Sequence, residues 1–125
     1  MNRQKVDRAG VIPFYIDEDD NIKMMFQIAK GKCEEGETEE QTAMREGNEE
    51  LGLFSGNVTK KHDLGTFLGR TTVFVCEIKD TNMFGDTCDE TEETVWWTPE
   101  EFDNEGRDLH KPVVKAAVRW IEKNK

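Results

Sequence analysis

A mixed α/β or α+β domain, a β-sheet core with flanking helices, is the fold class this sequence predicts. Three observations carry that reading. Segments rich in β-branched and aromatic residues flank polar turns, as strands do. A capped, amphipathic segment interrupts them near residues 39–51, and a second amphipathic segment closes the chain. The order of strands, helix, strands, helix calls for helices packed on a sheet.

The elements follow in order. "VDRAGVIPFYI" reads as a strand, "DEDDN" as a turn and "IKMMF" as the returning strand of a hairpin. Asp17, Asp19 and Asn21 alternate as in a calcium loop, but position 6 is Ile22 instead of Gly and position 12 is Ile28 instead of Glu. "QIAK" then follows "MMF" with no turn residue between them. Strands cannot reverse direction without a turn. Either one long strand bends here, or a loop is missing from the chain between Phe26 and Gln27; the missing loop is the working hypothesis. Thr38 with Gln41 forms a capping box for the first helix, and Glu39 and Glu40 lie in its dipole-favoured first turn. Gly52 fits the left-handed stop. Ala43, Met44, Gly47 and Leu51 give the core-facing stripe. "VTKKHDLGTFL" and "TTVFVCEI" read as strands, "TNMFGDTCDETEE" as a polar loop, "TVWWT" as a short strand and "PEEF" as a helical turn. In the last helix Pro112 suits the first turn, and Val114, Ala117, Val118 and Ile121 form the apolar face.

The 125 residues fit one domain, residues 1–125. A net charge of −10 argues against a nonspecific grip on long nucleic acid or on an anionic membrane. It leaves room for a phosphate-bearing substrate if divalent cations invert the local sign. Three cysteines with no C-x-x-C spacing make neither a disulfide framework nor a zinc site, and a reducing cytoplasm is the simplest setting. No run is long and apolar enough to span a bilayer.

The stretch "GKCEEGETEEQTAMREGNEELGL", residues 31–53, gathers glutamates between glycines around one arginine. On a helical wheel Glu46, Glu49 and Glu50 share a face, away from the apolar stripe. Like charges at i,i+4 repel by a few tenths of a kcal/mol even when exposed. Either the face is simply solvated, or the acids hold something positive. Mg²⁺ and Mn²⁺ prefer carboxylate oxygens. Arg45, about a quarter-turn round, could reach back to Glu37, and Gly31 and Gly36 would let the preceding loop bend tightly.

These residues resemble the Nudix box, G-x5-E-x7-R-E-U-x-E-E-x-G-U, where U is a bulky aliphatic residue. Gly31, Glu37, Arg45, Glu46, Glu49, Glu50 and Gly52 match every fixed position at the correct spacing. "AGVIPFYI", "AKGK" before the box and the late "EETVWWTPEEF" agree more loosely, so the resemblance spans nearly the whole chain. Gly47 departs from the pattern. It stands where the family carries a bulky aliphatic, costs ~1 kcal/mol relative to Ala in mid-helix and thins the core stripe.

The resemblance implies a Nudix-type α/β/α sandwich around a mixed sheet. It also implies hydrolysis of a nucleoside diphosphate linked to another group, with Mg²⁺ or Mn²⁺. Carried over by position, Glu46, Glu49 and Glu50 would be metal ligands with the Gly31 carbonyl. Glu37 and Arg45 would be a structural pair, and Glu49 or Glu50 could serve as base. Glu93, with Glu90 and Glu92 as substitutes, sits where some relatives place a late base or ligand. Lys30, Lys32 and Arg70 are candidate substrate contacts.

Trp96 and Trp97 alternate across a strand, so one should face the core and the other a cleft or solvent, where a base could stack; packing is the plainer role. Phe14 and Tyr15 could also touch a base. His62 and His110 have no partner at ligand spacing, and Cys33 lacks a nucleophile constellation. The leading function is a Nudix pyrophosphohydrolase acting on a small nucleotide substrate, whether dinucleoside polyphosphate, ADP-ribose-like or (d)NTP. "AKGK" leans toward the group that includes dinucleoside polyphosphate and RNA-end hydrolases, while the acidic charge argues against long RNA. The alternatives are a non-catalytic nucleotide-binding or sensor domain and an acidic protein-interaction domain. Retention of every box glutamate favours the enzyme. Either a monomer or a homodimer suits the family.

Overall fold

The computed structural model describes residues 7–25, 29–67, 70–80, 96–105 and 108–125. Among these residues six strands form one mixed sheet: β1 (Arg8–Ile16), β2 (Ile22–Met25), β3 (Ala29–Lys32), β4 (Val58–Phe67), β5 (Thr71–Ile78) and β6 (Trp96–Trp97). Their order is β4-β5-β1-β2-β6, with β3 also paired to β1. Among the described residues only β1 and β5 run parallel; the other pairs are antiparallel. Helix α1 (Glu39–Leu51) lies over β1 and β3, while α2 (Pro99–Glu105) and α3 (Lys111–Asn124) pack on the other face. This is the expected α/β/α sandwich.

Period-two alternation sorts the core into its two layers. Ala9 and Val11 of β1, with Phe74 and Cys76 of β5, pack under α1 with Ala43, Leu51 and Leu53. Ile12 and Phe14, with Val73 and Val75, pack under α3 with Val113, Ala117 and Ile121. Each large aliphatic fully buried here contributes ~1.5–3 kcal/mol by transfer from water. The buried face of α3 includes Val113, whereas Val118, expected inside, is only half-buried. Helical spacing defines a stripe, and the packed sheet decides where that stripe is centred.

The hairpin turn holds itself closed. The Asp17 carboxylate accepts the N–H groups of Asp19 and Asn21, both at 2.9 Å, which commits the oxygen that a calcium loop would need. Residues 26–28, site of the supposed missing loop, lie outside the described residues. The flanks speak to the first alternative. β2 and β3 both run antiparallel to β1, the chain advancing five residues from Met24 to Ala29 while its partner moves three, from Phe14 to Val11. Two strands running in the same direction along one neighbour require no reversal between them.

Helix α1 carries the capping box in full, with Gln41 N–H donating to Thr38 Oγ1 at 3.1 Å and Thr38 N–H to Gln41 Oε1 at 3.0 Å. Gly52 ends it at φ 73°. The mid-helix Gly47 has a packing reason. A Cβ added there would stand 2.9 Å from Val11 Cγ1 and 3.1 Å from Leu53 Cδ2. Val11 and Leu53 thus fill the space that a bulky residue on the helix would take, and the stripe is not thinner. Gly47→Ala is expected to destabilise despite gaining ~1 kcal/mol of helix propensity, because overpacking costs ~1–3 kcal/mol. The loss should shrink in a Val11→Ala background, as urea unfolding of the double-mutant cycle would show.

Both tryptophans of β6 are half-buried and both pack. Trp96 meets Tyr15 edge-on at 5.1 Å on the α1 face, and Trp97 meets Phe102 at 5.1 Å on the α3 face. The expected division into one core and one open tryptophan does not occur. His62 stacks on Trp120 at 4.6 Å, consistent with a packing role. No helix among the described residues is long and apolar enough to cross a membrane.

Candidate functional site

Arg45 organises the loop before α1. Its Nε donates to Glu37 Oε2 at 2.8 Å and its Nη2 to Glu37 Oε1 at 3.0 Å, a two-pronged grip that fixes both planes. Nη2 also donates to the Lys32 carbonyl at 3.1 Å, which ties the end of β3 to the helix. Glu37 in turn accepts the Glu34 N–H at 3.0 Å and the Thr42 hydroxyl at 2.7 Å. The Arg45 guanidinium, then the Glu34 N–H and the Thr42 hydroxyl, hold the Glu37 carboxyl down at about 2, against an ordinary value of 4.5.

That depression has a sign. It favours the folded state above pH 4.5, and the advantage is lost as pH falls toward 2. Glu37→Gln is therefore expected to flatten the fall in stability across that interval, checked by thermal melts stepped through it.

Thr42 was not legible as a site residue. It is fully buried among core residues, and its hydroxyl points back five residues to Glu37. A hydroxyl one turn inside a helix that follows a loop carboxylate is the signal that could have suggested it.

The glutamates converge in part. Gly31 lies beneath Glu46, where an added Cβ would be 2.1 Å from Oε2. Only a bare backbone admits the carboxylate there. Glu50 lies near the Lys30 N–H and ammonium on β3 and near the Glu46 carboxyl. Burial first, then the Glu46 carboxyl and its charge, raise the Glu50 carboxyl above the ordinary range; the Lys30 N–H and ammonium oppose the shift. Glu49 turns toward Arg45, whose Nη1 is 3.5 Å from Glu49 Oε1 and 3.1 Å from Glu46 Oε2. A cation therefore does sit among these acids, because the guanidinium is long enough to span the quarter-turn. Among the described residues no three acidic, His or Cys side chains stand together as a ready metal cage.

The donor set still fits a hard cation. It is all oxygen, and two carboxyls lie close enough for the Glu46 charge to raise the Glu50 carboxyl, an arrangement a divalent charge would relieve. Mg²⁺ keeps several waters, so a closed protein cage is not required. Glu93, Glu90 and Glu92 lie outside the described residues. Lys30 and Lys32 flank Gly31 on β3, and Arg70 directly precedes β5, its carbonyl accepting the Arg8 N–H.

A family model described as the NUDIX domain matches residues 15–121. The chain belongs to the Nudix family. It is a Nudix hydrolase, of the class acting on phosphoric anhydride bonds. Solved Nudix structures share the fold at low identity. A C. elegans Ap4A hydrolase is 14% identical at TM-score 0.67, over 94% of this chain and 99% of that one. A MutT from a study of Aliivibrio salmonicida and Vibrio cholerae is 20% identical at TM-score 0.61, over 94% and 99%. The NUDIX domain of Shewanella oneidensis NrtR, complexed with ADP ribose, is 13% identical at TM-score 0.64, over 96% and 90%. No curated protein matches the chain.

Proposed function

We propose that this Nudix hydrolase is a divalent-metal-dependent pyrophosphohydrolase that cleaves a nucleoside diphosphate linked to another moiety. Dinucleoside polyphosphates, ADP-ribose-like compounds and (d)NTPs form the candidate set. The observation that carries the reading is the Glu46 carboxylate seated on the bare backbone of Gly31, with the Glu50 carboxyl beside it.

Glu46, Glu49, Glu50 and the Gly31 carbonyl would hold Mg²⁺ or Mn²⁺. When bound, the metal supplies Lewis-acid charge that acidifies the attacking water and neutralises the pyrophosphate. Glu49 or Glu50 takes the proton of that water. The water oxygen bonds to phosphorus, the P–O–P bridge breaks, and the displaced phosphate leaves with the bridging oxygen. Lys30, Lys32 and Arg70 hold the phosphates. Arg45 and Glu37 keep the helix and the β3 end in register, which limits the rearrangement left to the carboxylates on binding. Glu93 remains a candidate late base.

The test is release of phosphate or nucleotide from a substrate panel with Mg²⁺ or Mn²⁺, beside Glu49→Gln and Glu50→Gln. Turnover lost in both variants supports the hydrolase. Metal and nucleotide binding with no turnover would favour the sensor reading. An absence of metal binding would leave the acids as a solvated face.

A further inference from the structure

On the face of the sheet turned away from α1, three cations stand in a row against their own repulsion. Arg8 of β1 and Lys32 of β3 are directly opposite in the antiparallel register. Their side chains leave the same face with Cβ atoms ~4.5–5.5 Å apart. Lys30, two residues before Lys32 on β3, shares that face. The intervening pair, Ala9 and Gly31, faces α1 and Glu46 instead.

Like charges directly opposite on a sheet are destabilising. Among the described residues, the ion pairs to acids are made by Arg45, Lys61, Lys111 and Lys125, and none by Arg8, Lys30 or Lys32. A chain with a net charge of −10 has carboxylates in excess, yet among the described residues only Lys30 feels one nearby, that of Glu50, and none closes to an ion pair with the row. Arg70, whose carbonyl accepts the Arg8 N–H, brings a fourth cation to the same end of the sheet.

The strand that carries two of these cations also seats the acids. Glu50 lies beside Lys30, and Glu46 rests on Gly31. β3 is thus a border, with carboxylates on one side and cations on the other. Lys30 and Lys32 are ~6.6 Å apart along the strand, so the positive charge extends as a line. A line of cations beside a metal-binding edge suits a chain of phosphates longer than the one being cut. Arg8 adds a guanidinium, which grips phosphate with two prongs.

We propose that Arg8, with Lys32, forms a subsite for a phosphate beyond the cleaved pyrophosphate. The enzyme would then select nucleotides with three or more consecutive phosphates over diphosphate-linked nucleotides. This inference rests on the hydrolase reading and narrows its substrate class.

The test compares kcat and KM for ADP-ribose, adenosine triphosphate and diadenosine tetraphosphate with Mg²⁺, in wild type, Arg8→Gln, Arg8→Lys and Lys32→Gln. The wild type should prefer the two polyphosphates. Arg8→Gln should raise KM for them by about tenfold or more, with a smaller rise for ADP-ribose and little change in kcat, and Arg8→Lys should recover much of the loss. Lys32→Gln, whose residue also serves the cleaved phosphates, should raise KM for all three substrates but more for the two polyphosphates than for ADP-ribose, and serves if Arg8→Gln does not fold. Equal losses on all three substrates, no loss on any, or a wild-type preference for ADP-ribose would overturn the subsite. If the wild type hydrolyses none of them, thermal melts with Mg²⁺ and inorganic tripolyphosphate or pyrophosphate decide. Greater protection by tripolyphosphate that vanishes in Arg8→Gln keeps the subsite while the hydrolase reading falls. Equal protection by the two anions removes the subsite as well.

Discussion

Glu50→Gln is expected to lower kcat by about 10²–10⁴-fold, the range for losing a positioned acid–base group, while raising the melting temperature of the metal-free protein. The two effects share one cause. Glu50 lies close to Glu46 one helical turn away, and the Glu46 carboxylate is seated on the bare backbone of Gly31. The raised carboxyl of Glu50 means that its charged form is disfavoured on folding. Its contribution to stability is therefore present at low pH and lost as pH rises through the folded value. Removing the charge at neutral pH should add a few tenths of a kcal/mol, or about 1–3 °C. A solvated acid would change neither quantity much. A site that sacrifices stability for function shows opposite signs, and calorimetry beside steady-state kinetics reads both.

Gly31→Ala should weaken metal binding and turnover by about 10–100-fold with less than ~1 kcal/mol of lost stability, the scale seen when a group that orients a ligand is removed. The new methyl would meet the Glu46 carboxylate at 2.1 Å from Oε2 and 2.4 Å from Cδ. That carboxylate is the end of a flexible side chain, so the fold gives way there without a core rearrangement. The substitution moves one candidate ligand out of the seat beside Arg45 and Glu50 and changes little else. Isothermal titration with Mn²⁺ checks the binding, and urea unfolding checks the fold. An unfolded variant would mean that the glycine serves the strand, and unchanged affinity would mean that Glu46 is no ligand.

Much of this was written in short-range pattern. The capping box of α1, the glycine that ends it, the hairpin around Asp17 and the Glu37–Arg45 grip all depend on residues within nine positions of one another. Backbone geometry alone fixes such distances, so spacing in the chain becomes spacing in space. The seven fixed positions of the box identified the family for the same reason. What spacing could not show was the partner across the sheet. Gly47 read as a defect until Val11 and Leu53 were found filling its place. Thr42 read as an ordinary helix residue until its hydroxyl met Glu37 inside the fold. Arg8 carried no signal, since only the β1–β3 register sets it opposite Lys32. The sequence by itself determined the elements, the family and which acids share a helix face. The tertiary structure decided which of those acids meet, what seats them and where the cations face, because strand register is a long-range outcome of packing that no local period records.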